Sequence, residues 1–114
     1  IWGLSYKPGT DDMREAPSLT LISQLIEAGC TVKAYDPVAM DEARFRLGDS
    51  IEYADDIYDT VRDADVLFHV TEWKEYRMPD WEKIRKLMKT PLLIDGRGVF
   101  DKTNLEGITY LKIG

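Results

Sequence analysis

The sequence predicts a single α/β domain, and three observations carry that expectation. Short apolar runs of strand length alternate with helical periods along the chain, no internal repeat or low-complexity linker divides it, and 114 residues suit one domain. At that size a folded chain buries roughly two-thirds of the surface it exposes when unfolded. Strands that alternate with helices require right-handed crossovers, which give a mainly parallel sheet with helices on both faces. The expected architecture is a three-layer sandwich of Rossmann-like type.

Residues 1–6 read as a strand, and because only two residues precede Gly3, a strand of usual length is expected to begin upstream of Ile1. Residues 17–28 read as a helix: Pro17 fits the first turn, Leu21, Ile22, Leu25 and Ile26 form an apolar stripe, and Gly29 stops it. Residues 31–35 form a second strand. Asp36 and Pro37 then offer an N-cap and a first-turn proline for a helix that ends near Leu47, before Gly48. A weak strand at 51–53 leads into a helix over 55–64, with Ile57, Val61 and Ala64 on one face. Val66-Leu67-Phe68-His69-Val70 is nearly continuous in apolar character, as a central strand covered on both sides should be. Asp80 caps a helix that turns Trp81, Ile84, Leu87 and Met88 inward and Lys83, Arg85 and Lys86 outward. Strands at 91–94 and 108–113 complete the sheet.

Composition excludes several functions. The chain carries 15 Lys plus Arg against 21 Asp plus Glu, a net charge of -6, and its basic residues are scattered among carboxylates. Non-specific nucleic-acid binding needs a clustered cationic face, so no nucleic-acid partner is expected. No run approaches the roughly 18 apolar residues of a bilayer span, and the start lacks the features of a secretory signal, so no membrane association is expected. One cysteine and one histidine exclude an internal disulfide and a Cys/His zinc site. A reducing, cytoplasmic setting is the inference from cysteine usage.

In an open parallel sheet, ligands bind beyond the carboxyl ends of the strands, which makes the segments after each strand the ones to read. After the first strand, ten residues run from Lys7 through Pro8-Gly9-Thr10-Asp11-Asp12-Met13-Arg14-Glu15 to Ala16, where two to six are usual. This loop carries two cations in an acidic chain. Lys7 at the strand end could meet a phosphate as a point charge, and the planar Arg14 could fork onto phosphate or hydroxyl oxygens. The plain structural reading is that Asp11, Asp12, Arg14 and Glu15 pair with one another and cap the next helix. Asp95-Gly96-Arg97-Gly98 follows the 91–94 strand, and its glycines allow a sharp turn and a close backbone approach, which would point Arg97 over the same edge as Lys7.

Thr71-Glu72-Trp73 follows the central strand, with Trp73 read as cover for the sheet edge rather than as a pocket wall. Asp36 could accept a ribose hydroxyl, but capping next to Pro37 is the preferred reading. His69 reads as a satisfied core residue. Cys30, at a helix-to-strand turn on the opposite edge and without a histidine nearby in sequence, does not read as a nucleophile. Gly3 and Gly9 do not complete a G-x-G-x-x-G pattern, which argues against a full dinucleotide fingerprint here.

The stretch Gly3-Leu4-Ser5-Tyr6-Lys7-Pro8-Gly9-Thr10-Asp11-Asp12-Met13-Arg14-Glu15-Ala16-Pro17-Ser18 resembles the opening of the C-terminal, UDP-binding domain of the UDP-glucose/GDP-mannose dehydrogenase family. Tyr35-Asp36-Pro37, Ala64-Asp65, Thr71-Glu72-Trp73 and Asp95-Gly96-Arg97 extend the resemblance over almost the whole chain. The resemblance implies that residues 1–114 are the nucleotide-sugar domain of a three-part enzyme, whose partners in the same polypeptide are an N-terminal NAD-binding domain and a central dimerisation region. It implies oxidation of a sugar C6 alcohol to a carboxylate, by two hydride transfers to NAD through a thioester on a cysteine outside this chain, in an enzyme that is a homo-oligomer.

By the same resemblance, Tyr6 and Lys7 contact the UDP-sugar substrate, Lys7 near the diphosphate. Arg97 also binds substrate, and Arg14 reaches the NAD held by the first domain. Tyr6 stands where a phenylalanine is common in the family. Thr71-Glu72-Trp73 followed by Glu75-Tyr76 is similar to the pattern of the UDP-glucose subfamily, ahead of UDP-N-acetylmannosamine or GDP-mannose enzymes. A phospho-receiver signalling domain of similar length is the competing reading. Against it, Asp11 and Asp12 sit four residues past Lys7 and no aspartate follows a clear third strand as phospho-acceptor. A regulatory or scaffolding module that binds no nucleotide is a third reading.

Overall fold

The computed structural model describes residues 1–105 and 107–113, and in it every strand pairing is parallel among the described residues. The elements in chain order are α1 (Pro17–Glu27), β1 (Lys33–Ala34), α2 (Met40–Leu47), β2 (Glu52–Tyr53), α3 (Ile57–Val61), β3 (Leu67–His69), α4 (Trp81–Leu87), β4 (Leu92–Asp95) and β5 (Thr109–Lys112). β1 pairs with β2, and β3 with β4 and β4 with β5, in two separate ladders. Residues 1–3 join them. Trp2 bridges to Tyr35 on one side and to His69 on the other. The N–H of Trp2 donates to Phe68 O at 2.8 Å and that of Val70 to Trp2 O at 2.9 Å, while Gly3 donates to Tyr35 O at 2.9 Å and Tyr35 to Ile1 O at 3.0 Å. The nitrogen of Ile1 donates to Lys33 O at 2.7 Å, which keeps the ladder going to the first residue.

The spatial order is therefore β2, β1, residues 1–3, β3, β4, β5. Counted along the chain this is 3-2-1-4-5-6, the doubly wound order, with its topological switch point between residues 1–3 and β3. The expected sandwich is present with one difference at the start. Strand geometry ends at Gly3, and residues 4–6 turn across the carboxyl edge instead of continuing. The cause is local: Gly3 holds φ +100°, a left-handed region open to glycine, and a side chain there would put its Cβ 2.4 Å from that of Thr71.

Alternation along the sheet builds two cores, one on each face. Ile1, Leu4, Val32 and Ala34 pack under α1 and α2 through Ile22 and Ala43. Trp2, Leu67 and Leu93 pack under α3 and α4 through Val61 and Ile84. Trp2 is fully buried, stacks on Tyr76 at 5.2 Å and donates its indole N–H to Ile57 O at 3.1 Å. On α1, Ser18 and Ile22 are the buried positions, and Ile26 lies 38% exposed at the flank of the expected stripe.

Two helices are shorter than their patterns suggest. Asp36 caps a turn over residues 37–39, so α2 begins at Met40. α3 runs only to Val61 because Asp63 adopts φ 60° and gives its N–H to Leu87 O at 2.8 Å, which diverts the chain toward α4. Asp56 and Asp80 cap α3 and α4 through their carboxylates, as helix N-termini favour.

Candidate functional site

Loops after residues 1–3, β1, β3 and β4 meet on the carboxyl edge of the sheet, and two buried aspartates knit them together. Asp36 is 1% exposed. Its Oδ2 accepts the N–H of Leu4 at 2.8 Å, that of Ser5 at 3.0 Å and the Trp73 indole N–H at 3.0 Å. Its Oδ1 accepts Val38 N–H at 2.9 Å and Ala39 N–H at 2.8 Å. With five donors from three loops, Asp36 is a structural hub with no capacity left for a ribose hydroxyl. The capping reading holds, and Trp73 covers the edge as expected.

Asp95 does the same at the end of β4. Its Oδ1 accepts His69 Nδ1–H and Arg97 N–H, both at 2.9 Å, and its Oδ2 accepts Val99 N–H at 3.0 Å and Tyr110 O–H at 2.7 Å. Burial alone would raise this carboxyl, but the bonds from His69, Tyr110 and the backbone of Arg97 and Gly98 outweigh it and bring it down to about 2. Asp95 thus shapes the turn that presents Arg97.

His69 is buried, and burial pushes its imidazole below the usual value in spite of the Asp95 bond. It is therefore neutral at pH 7, with the proton on Nδ1 facing the carboxylate. His69 Nε2 has no partner among the described residues, so the expectation of a satisfied core histidine is half met. Phe100 and Tyr76 rings pack on it at 4.7 and 5.8 Å.

The long first loop is pinned in the middle. Met13 is fully buried in the α1/α2 core, Tyr6 N–H closes onto Asp12 O at 2.7 Å, and Thr10 Oγ1 accepts Asp12 N–H at 3.1 Å. Across the switch point, Thr71 Oγ1 donates to Ser5 O at 2.7 Å. Tyr6 leaves this anchored stretch with its ring 57% exposed, and Lys7 beside it is exposed as well. Arg14 forms a two-pronged pair with Asp12, Nε to Oδ1 at 3.1 Å and Nη2 to Oδ2 at 2.9 Å. That pair holds the Asp12 carboxyl at about 2. Part of the plain structural reading of this loop is thus correct, though α1 has no side-chain cap and the carboxylates do not serve it. Arg97 pairs through Nε and Nη2 with Glu72, the Nη2 contact at 3.2 Å.

Tyr6, Lys7 and Arg14 thus lie in the connection after residues 1–3 and Arg97 in the one after β4, both at the carboxyl edge of the sheet. Cys30 lies on the other edge, exposed, beside a cleft of about 600 Å³ that Ile1, Val32, Lys33 and Lys89 also line. Reading the sequence missed Met13 as an anchor, the Thr71 bridge and the Glu72–Arg97 pair. The first could have been found from an apolar residue in the centre of a charged loop, the others from no local signal. Among the described residues no group of three His, Cys, Asp or Glu is placed to hold a metal ion, and Asp12 is engaged by Arg14, which removes the basis of a receiver-type acidic site.

Comparison with known proteins agrees with the fold. Residues 1–102 match the family model described as the UDP-glucose/GDP-mannose dehydrogenase family, UDP binding domain. UDP-glucose 6-dehydrogenase of Pseudomonas aeruginosa is 46% identical over the whole chain and 27% of its own length. UDP-glucose 6-dehydrogenase TuaD of Bacillus subtilis is 39% identical over 97% of the chain and 24% of its own length. Among solved structures, a UDP-glucose dehydrogenase from Pyrobaculum islandicum superposes with TM-score 0.80 at 31% identity, covering 96% of this chain and 23% of that one. A UDP-D-ManNAc dehydrogenase from Pyrococcus horikoshii gives 0.78 at 28% identity, covering 98% and 24%. The chain spans about a quarter of the length of the relatives it matches. By its sequence and its fold, this chain belongs to the UDP-glucose/GDP-mannose dehydrogenase family, in the part that is its UDP binding domain.

Proposed function

We propose that this chain is the C-terminal UDP-sugar-binding domain of an NAD-dependent UDP-glucose 6-dehydrogenase, which oxidises UDP-glucose to UDP-glucuronate in two hydride transfers. The observation that carries the reading is the anchored Tyr6-Lys7 turn and the Asp95-shaped Arg97 turn at the same carboxyl edge of the sheet, in a chain of this family. A diphosphate approaching a chain of net charge -6 needs local cations, and the rim supplies them. Lys7 serves the diphosphate, Tyr6 offers an exposed ring, and Arg97 brings a planar donor set to substrate oxygens.

In this reading the hexose is held largely by other parts of the polypeptide, which also supply the cysteine that carries the thioester. NAD, when bound there, supplies the hydride acceptor. Arg14 fits a role toward it: the side chain is 78% exposed, and Asp12 engages only one edge of the guanidinium. The enzyme works as a cytoplasmic homo-oligomer in this reading, and no helix of the described residues is long and apolar enough to cross a membrane. Glucose is preferred over N-acetylmannosamine because the curated relatives at 46% and 39% identity carry the glucose name, and among solved structures the glucose-named one is 31% identical against 28% for the one named for the other sugar.

The test is NAD reduction by the full-length polypeptide. Activity with UDP-glucose and little with UDP-N-acetylmannosamine or GDP-mannose supports the reading, and the reverse preference overturns it. In the same assay Arg14→Ala should raise the Michaelis constant for NAD and leave that for the UDP-sugar near its parent value. A change confined to the UDP-sugar constant would reassign Arg14 to substrate.

A further inference from the structure

We propose that Glu72 is a positioning residue, a clamp that holds the Arg97 guanidinium with its outer donors facing the rim. The proposal rests on the reading of Arg97 as a substrate ligand. A guanidinium has five N–H donors in a fixed plane. Glu72 takes the Nε donor and one Nη2 donor from the side, and Asp95 holds the Arg97 backbone N–H separately. Among the described residues, the second Nη2 hydrogen and both Nη1 hydrogens are left without a partner. Two of those three, one on each Nη, point off the far end of the fork, where a bidentate contact to an anion is made.

Both ends of the clamp are rooted in buried structure. Glu72 sits between Thr71, whose hydroxyl is fixed on Ser5 O, and Trp73, whose indole is fixed on Asp36. Arg97 rides on the Asp95 turn, and Gly96 donates its N–H to His69 O at 2.9 Å, which ties that turn back to β3. A half-exposed arginine without such a partner would sample many rotamers and lose that freedom on binding. A clamp that fixes the side chain beforehand removes part of that cost. Nothing else in the Thr-Glu-Trp segment explains a carboxylate at the edge of a site for an anion.

The sign of one substitution separates this role from simple electrostatics. By charge alone, removing a carboxylate beside an anion site should strengthen binding. As a clamp, its removal should weaken it. The measurement is UDP affinity by calorimetry in the full-length protein for the parent, Glu72→Gln, Glu72→Asp, Arg97→Ala and the Glu72→Gln/Arg97→Ala pair. Expected are a UDP dissociation constant raised roughly three- to fivefold in both Glu72 variants, an unchanged melting temperature, and no further effect of Glu72→Gln once Arg97 is alanine. The Asp variant keeps the charge but is one methylene short, so a loss there also speaks for geometry. Tighter or unchanged UDP binding in Glu72→Gln, with Arg97→Ala clearly weakened, overturns the clamp and leaves the substrate reading standing. Unchanged affinity in Arg97→Ala overturns both.

Discussion

Single residues on the rim are fixed by chemistry that can be titrated. The His69 imidazole is held below its usual value by burial, so the unfolded chain takes up a proton on this group before the folded one does. Stability from this source is full above about pH 6.5 and falls as pH drops below it. Asp95 acts lower on the scale. Its folded carboxyl sits at about 2 against 3.8 unfolded, so its contribution is present above pH 4 and is lost between there and pH 2. Urea midpoints followed against pH should show both declines, and His69→Phe should flatten the upper one and, by removing one of the bonds that lowers the Asp95 carboxyl, shrink the lower one. A parent curve level from pH 7 to 5 would contradict the buried neutral histidine. Gly3 carries the sharpest steric demand, because its φ of +100° and its contact with Thr71 both exclude a side chain. Gly3→Ala should lower stability by about 2 kcal/mol or more in denaturant unfolding. His69 was legible in the sequence as a core residue. Its pairing with Asp95 was not, because a contact across 26 positions leaves no local trace.

At the scale of elements, the strands and helices follow from periodicity, while what joins them comes from buried polar groups. α1 and α4 match their patterns to within a residue or two, since each has an apolar stripe and a clear start signal. α2 and α3 are shorter than their patterns: a capped turn takes the first residues of one, and a left-handed Asp63 ends the other. Those outcomes depend on partners from distant loops. Asp36 shows the same dependence. The Asp-Pro pair announced a cap, yet the cap also holds Leu4, Ser5 and Trp73. Asp36→Ala would strand several buried N–H groups in three connections at once and should cost about 3 kcal/mol or more, read as a lowered urea midpoint. Loss of less than about 1 kcal/mol would mean that these loops are held by something else.

For the whole molecule, the doubly wound order brings loops from 1–3, β1, β3 and β4 to one edge, and that edge is where the acidic chain presents exposed Lys7, Arg14 and Arg97. Lys7 and Arg97 were legible as site candidates because each lies just after an expected strand, although the first strand ends at Gly3 and Lys7 follows a turn. The carboxylates that flank two of these arginines were only partly so, since Asp12 is two residues from Arg14 but Glu72 is 25 from Arg97. On the proposed function this chain alone should reduce no NAD in the presence of UDP-glucose, because in that reading the cofactor fingerprint and the thiol of the thioester step lie in other parts of the polypeptide. Measurable NADH formation by the chain alone would contradict that division of labour. In the proposed function Lys7 and Arg97 form one diphosphate-binding rim, and calorimetric titration of UDP into the full-length protein measures it. Charge-assisted hydrogen bonds contribute about 1.5 to 3 kcal/mol each, so Lys7→Ala and Arg97→Ala should each raise the UDP dissociation constant by about one to two orders of magnitude with little change in melting temperature. Parent-like UDP affinity in both variants would contradict it.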